Sequence, residues 1–124
     1  MRIKATKLNI LGSVWSLVSK TEEEEKRLKD VAGFTDYSTR ELVVADTPDD
    51  SYTIGDPHEH MQQTIRHEII HAFLAESGIW CDSASAEHWS MNEEMVDWMA
   101  FQFPKIHSAM IEGNALPGMR LVVE

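Results

Sequence analysis

The sequence predicts an α+β domain. Short β-type runs come in pairs around turn residues in the first part of the chain, and two long apolar stripes at helical spacing follow after about residue 56. Strands grouped first and helices grouped after them are the pattern of an α+β domain rather than of alternating βαβ units. With 124 residues the chain forms one domain, 1–124, whose core is expected over about 6–108 with a C-terminal tail at 113–124. Hydrophobic content of 43% and charged content of 26% are ordinary for a globular protein. The formal charge of −10, with no basic patch, argues against nucleic acid as the main partner.

Lys4 to Ile10 alternates loosely, with Leu8 and Ile10 on one face. Leu11-Gly12-Ser13 is the turn, and Val14 to Val18 the returning strand. Val14, Ser16 and Val18 share one of its faces; Trp15 and Leu17 share the other. Thr21 to Asp30 reads as a short helix. Thr21 is its cap, Glu24 completes a capping box, and Glu22–Lys26, Glu23–Arg27 and Glu25–Lys29 are pairs one turn apart. The acidic run Glu22 to Glu25 reads as its solvated face. Gly33 to Tyr37 and Glu41 to Asp46 form a second hairpin around Ser38-Thr39-Arg40, with Leu42, Val43 and Val44 buried. Thr47 to Gly55 is a polar loop.

The central helix opens with Asp56 as cap, Pro57 in the first position and Glu59 at the capping-box position, and runs to Ser77, with Gly78 after it. Its apolar stripe is Met61, Ile65, Ile69, Phe73 and Leu74; His58 and His60 in its first turn are read as solvated. After a linker from Gly78 to Trp89, Met91 to Phe103 forms the second helix. Its core stripe is Met95, Met99 and Ile106, widened by Trp98 and Phe101. Pro104 is expected to break or kink it, with Lys105 to Glu112 as a last helical piece. Gly113 to Glu124 is either a terminal strand or a tail. Cys81 stands alone, which rules out an intrachain disulfide and fits a reducing compartment. It reads as a small loop residue, with a fourth metal ligand or redox inhibitor as the alternative. The basic start, Arg2, Lys4 and Lys7, is followed by a run too interrupted for a signal peptide, and no stretch reaches transmembrane length. A cytoplasmic protein without a membrane partner is expected.

The chemistry concentrates in His67-Glu68-Ile69-Ile70-His71, an H-E-x-x-H pattern. Residues four apart share a helix face, so His67 and His71 can offer two imidazole nitrogens to one Zn²⁺. Glu68 lies about 100° round the helix from His67. That places its carboxylate beside a metal rather than on it, the position of a general base toward a metal-activated water. A catalytic zinc commonly takes a third protein ligand and keeps one open position. Asn92-Glu93-Glu94-Met95-Val96-Asp97 supplies three acidic candidates. Glu93 and Asp97 share a face, while Glu94 is the rival about 100° away. Ser90-Met91-Asn92-Glu93 also matches a capping box, which would turn Glu93 back onto the backbone.

The run N-E-x-x-x-D from Asn92 to Asp97 resembles gluzincin metallopeptidases such as thermolysin. That resemblance implies Glu93 as the third ligand and Asp97 as the carboxylate that orients a ligating histidine. Trp98 to Pro104 resembles the segment after the ligand glutamate in the ImmA/IrrE-type family, with Asp97 where that family has Asn and Val96 where it has Ala. Arg66 to Gly78 and Asn92 to Trp98 look more closely like small zincin-like proteins of phage and prophage genomes, and the likeness covers most of residues 8–106. It implies a minimal zincin-like fold, a small, mostly antiparallel sheet over the H-E-x-x-H helix with the ligand helix crossing beneath. It does not supply a substrate; a peptidase holding one Zn²⁺ and acting on a protein or peptide is expected, with a monomer as the default. In that scheme the strand Glu41 to Asp46 is a candidate for binding extended substrate, and His88, Tyr37, Tyr52 and Arg40 are candidate oxyanion donors. The competing expectation is a catalytically weak, zinc-stabilised binding or regulatory module of a phage or prophage.

Overall fold

A computed structural model of the chain describes residues 1–47, 54–77, 92–112 and 116–119, with residues 109–112 described by backbone alone. Cys81, Tyr52, His88, Gly78, Ser90 and the stretch 121–123 lie outside the described residues. The domain is α+β. Strands β1 (Thr6–Ile10), β2 (Ser13–Lys20), β3 (Gly33–Asp36) and β4 (Glu41–Ala45) precede helices α1 (Pro57–Glu76) and α2 (Glu93–Glu112). The strands form one sheet in the order β1-β2-β4-β3.

Both expected hairpins form. In the first, Leu11 and Gly12 adopt φ of 52° and 92°, and Ile10 faces Ser13 across a two-residue turn. Positive φ at both central residues is the type I′ geometry that matches strand twist. Asn9 Oδ1 accepts the Gly12 N–H at 2.8 Å and holds the turn. Trp15 and Leu17 point into the core and Val14 out, as the alternation predicts. The hairpins join through β2 and β4, which run parallel, so the sheet is mixed, with two antiparallel pairings and one parallel. One expectation is corrected by this order. β4 is bonded on both sides, so Glu41 to Asp46 has no open edge for a substrate strand; among the described residues the free edges belong to β1 and β3.

Thr21 to Asp30 is not an α-helix. The capping box itself forms, with the Thr21 N–H on Glu24 Oε1 at 3.0 Å and the Glu24 N–H on Thr21 Oγ1 at 3.2 Å. Only a 3₁₀ turn at Lys26–Leu28 follows it. An isolated short helix is marginal in water, and tertiary contacts outbid this one. Arg27 donates to Asp36 of β3 at 2.8 Å and lies over the Phe34 ring, while Leu28 is buried.

The main core gathers Ile10, Trp15, Leu17, Leu42 and Val44 from the sheet with Ala72 and Ala75 from α1; Met61, Ile65 and Ile69 pack at its margin. Phe73, expected in the stripe, is 40% exposed. The small side chains of Ala72 and Ala75 carry the contact instead and let the helix approach the sheet. The Trp15 indole N–H donates to Glu76 Oε1 at 2.8 Å, and Arg40 Nε meets the same oxygen at 2.5 Å, which ties the end of α1 to the sheet.

α2 differs from its predicted stripe. Val96 and Ala100 are fully buried, whereas Trp98 and Phe101 are 59% and 63% exposed. Small inner residues again allow close helix packing. The helix also continues through Pro104. Proline has no N–H to give the carbonyl four residues back. That carbonyl, on Ala100, instead accepts the Arg66 Nε–H from α1 at 3.1 Å. No helix among the described residues is long and apolar enough to cross a membrane.

Candidate metal centre

α1 starts where its sequence signals place it. Asp56 Oδ1 accepts the Glu59 N–H at 3.1 Å, and Pro57 opens the helix. The helix has the sheet on one side and α2 on the other. His67, Glu68 and His71 sit on the strip between them, and one donor atom from each lies within 4.8 Å of the others.

α2 brings the acidic side chains to this strip. Glu93 Oε2 lies 2.8 Å from His67 Nε2, and Glu93 Oε1 lies 2.9 Å from His71 Nε2. A single carboxylate therefore meets both imidazoles at the nitrogens a metal would use. Asp97 Oδ1 is 2.5 Å from His67 Nδ1, the other side of the same ring. Glu94 is exposed, a further 100° or so round the helix. Ser90, the cap of the alternative capping box for Glu93, lies outside the described residues. Asn92 caps α2, its Oδ1 accepting the Met95 N–H at 2.9 Å, so Glu93 is left for the histidines.

Glu68 is almost wholly buried, at 4% exposure. Burial raises its pKa from the usual 4.5 to about 7; Glu93 and Asp97 push the same way, while His67 and the Thr35 hydroxyl pull against it. Thr35 Oγ1 lies 3.0 Å from Glu68 Oε1, and Glu68 Oε2 is 4.0 Å from His67 Nε2. The edge strand β3 reaches the helix this closely because of Gly33. A Cβ there would stand 2.8 Å from the Val43 carbonyl oxygen, 3.2 Å from Thr64 Cγ2 and 3.4 Å from Glu68 Cγ. Between β3 and the two helices lies a cleft of about 410 Å³ bordered by Gly33, Thr35, His67, Glu68, His71 and Glu93.

These donors could hold a metal ion. Two imidazoles and one carboxylate converge, and a second carboxylate meets His67 at Nδ1, where it can hold the ring with Nε2 turned toward the cluster. Neither Tyr37 nor Arg40 borders that cleft, although Tyr37 lines an adjoining groove with Gly33 and Thr35. The Tyr37 ring packs near Trp15, with centroids 6.4 Å apart, and Arg40 pairs with Glu76. His60 lines the continuation of the cleft along α1, beside Gln63 and Thr64. Gly33 and Thr35 did not stand out in the sequence. A glycine and a hydroxyl two residues apart in a strand share a face, but only the sheet order reveals that this face meets Glu68.

Compared with known proteins, the chain matches no protein-family model, no curated protein and no solved structure. The functional reading therefore rests on the residues and their geometry.

Proposed function

We propose that the chain is a zinc-dependent peptidase of the gluzincin type, with His67, His71 and Glu93 as metal ligands and Glu68 as general base. The observation that carries this reading is the Glu93 carboxylate bridging both imidazole Nε2 atoms at 2.8 and 2.9 Å, with the buried Glu68 beside them. A bound zinc ion supplies Lewis acidity to a peptide carbonyl and lowers the pKa of a water. Glu68 Oε2 takes the proton of the attacking water and returns it to the leaving amine nitrogen as the C–N bond breaks. Asp97 accepts the His67 Nδ1–H and keeps the ring in its ligating tautomer. The edge of β3, unpaired among the described residues, runs beside Glu68, so it, rather than β4, is the strand on which an extended peptide would add.

A second reading, a zinc-stabilised binding module without peptidase activity, draws support from Trp98 and Phe101, exposed on the helix that carries Glu93. Elemental analysis of the wild-type chain and of His71→Ala, Glu93→Ala, Glu94→Ala and Glu68→Gln, followed by digestion of a peptide library, separates the readings. The peptidase reading expects one zinc per chain, lost in His71→Ala and Glu93→Ala and kept in Glu94→Ala and Glu68→Gln, with cleavage by wild type and none by Glu68→Gln. Zinc without cleavage selects the binding module. No zinc in the wild-type chain after it has been offered overturns both.

A further inference from the structure

We infer that Thr35 is a positioning residue for Glu68, an inference that rests on the peptidase reading above. Glu68 has two chemically equivalent oxygens and a rotatable carboxylate, and only an oxygen turned toward the histidines can exchange a proton with water there. The Thr35 hydroxyl lies 3.0 Å from Oε1, and Oε2 is the oxygen left facing the cluster, 4.0 Å from His67 Nε2. A hydroxyl that donates to Oε1 does two things. It holds the carboxylate plane against rotation, and it occupies Oε1, so that the proton taken from water resides on Oε2, where the leaving amine can collect it.

The backbone is arranged around this contact. Thr35 lies on β3 and pairs with Leu42 of the interior strand, so its position is set by the sheet and not by a loop. Gly33, two residues earlier, lets that strand approach until only a hydrogen atom fits between it and the Val43 carbonyl, Thr64 and Glu68. The hydroxyl is also 3.3 Å from the Glu68 backbone carbonyl, so it sits over the residue as a whole. A valine at this position has nearly the same shape and strand preference and lacks only the donor.

The experiment compares wild type, Thr35→Val and Thr35→Ser, each zinc-loaded. Three quantities are read: zinc affinity by chelator competition, kcat and KM on a cleaved library peptide, and the affinity of a simple hydroxamate, whose binding beside the metal needs an ordered carboxylate partner. Positioning predicts zinc affinity within about threefold of wild type in both variants. Thr35→Val should lose roughly tenfold in kcat with KM little changed, and roughly tenfold in hydroxamate affinity, the weight of one hydrogen bond to a charged group. Thr35→Ser, which keeps the donor, should recover most of both. Equal kcat and hydroxamate affinity in all three proteins, or a serine variant as poor as the valine one, overturns the inference. If wild type cleaves no peptide, the peptidase reading fails on its own, and the hydroxamate comparison still decides whether Thr35 orders Glu68.

Discussion

Replacing Arg66 with methionine should destabilise the metal-free protein by about 2 kcal/mol, and the loss should depend on Pro104. The Ala100 carbonyl is buried, and its usual helical partner, the N–H of residue 104, does not exist because that residue is proline. Arg66 Nε fills the vacancy at 3.1 Å. A buried acceptor stripped of its donor costs about 1–3 kcal/mol. The other bonds of the guanidinium, to Glu59 and Gln63 at 2.9 and 3.0 Å on the surface of α1, add little. Methionine preserves most of the stem packing, so the donor is what changes. Urea unfolding with excess chelator measures the difference without a contribution from bound metal; in thermal unfolding it corresponds to a fall of roughly 8 °C. Pro104→Ala restores an N–H aimed at Ala100. In that background Arg66→Met should cost under about 1 kcal/mol, a coupling of about 1–2 kcal/mol in the double-mutant cycle. Equal costs in the two backgrounds would refute the assignment of Arg66 as the substitute donor.

Four further outcomes are expected. Glu68→Gln should keep one zinc per chain by elemental analysis while peptide hydrolysis falls at least ~100-fold. Asp97→Ala should weaken zinc binding by roughly 10- to 100-fold in chelator competition, because His67 loses the acceptor on its Nδ1–H. Gly33→Ala should destabilise by roughly 1–3 kcal/mol in urea unfolding, since its Cβ would press on the Val43 carbonyl at 2.8 Å and the edge strand would have to move away from Glu68. Asp36→Asn should flatten the acid end of the stability profile. The Ser38 hydroxyl first, and then Arg27, hold the Asp36 pKa below its usual 3.8, so the ionised form stabilises the fold above pH 3.8 and that contribution is lost as pH falls below it. Urea midpoints between about pH 5 and pH 2.5 should therefore drop more steeply for wild type than for the variant, with parallel curves counting against the contact.

Local sequence determined much of this protein. Strict alternation placed Trp15 and Leu17 inside, Asp56-Pro57 marked the start of α1, and the four-residue spacing set His67 and His71 on one face, because each of these depends on backbone geometry within a turn or a pleat. The choices that depend on distant partners were decided only by the tertiary structure. Glu93, rather than Glu94, meets the histidines because Asn92 takes the cap and because α2 packs on α1 through Val96 and Ala100. The segment after Thr21 gave up its helix once Arg27 found Asp36 and Leu28 found the core. α2 passed through Pro104 because an arginine 38 positions earlier supplied the missing donor. The pairing of β2 with β4 closed one strand and put β3 at the sheet's edge among the described residues, beside Glu68. In these cases local preferences of about one to three kilocalories per mole competed with burial or a desolvated hydrogen bond of comparable size, and residues far away in sequence settled the result.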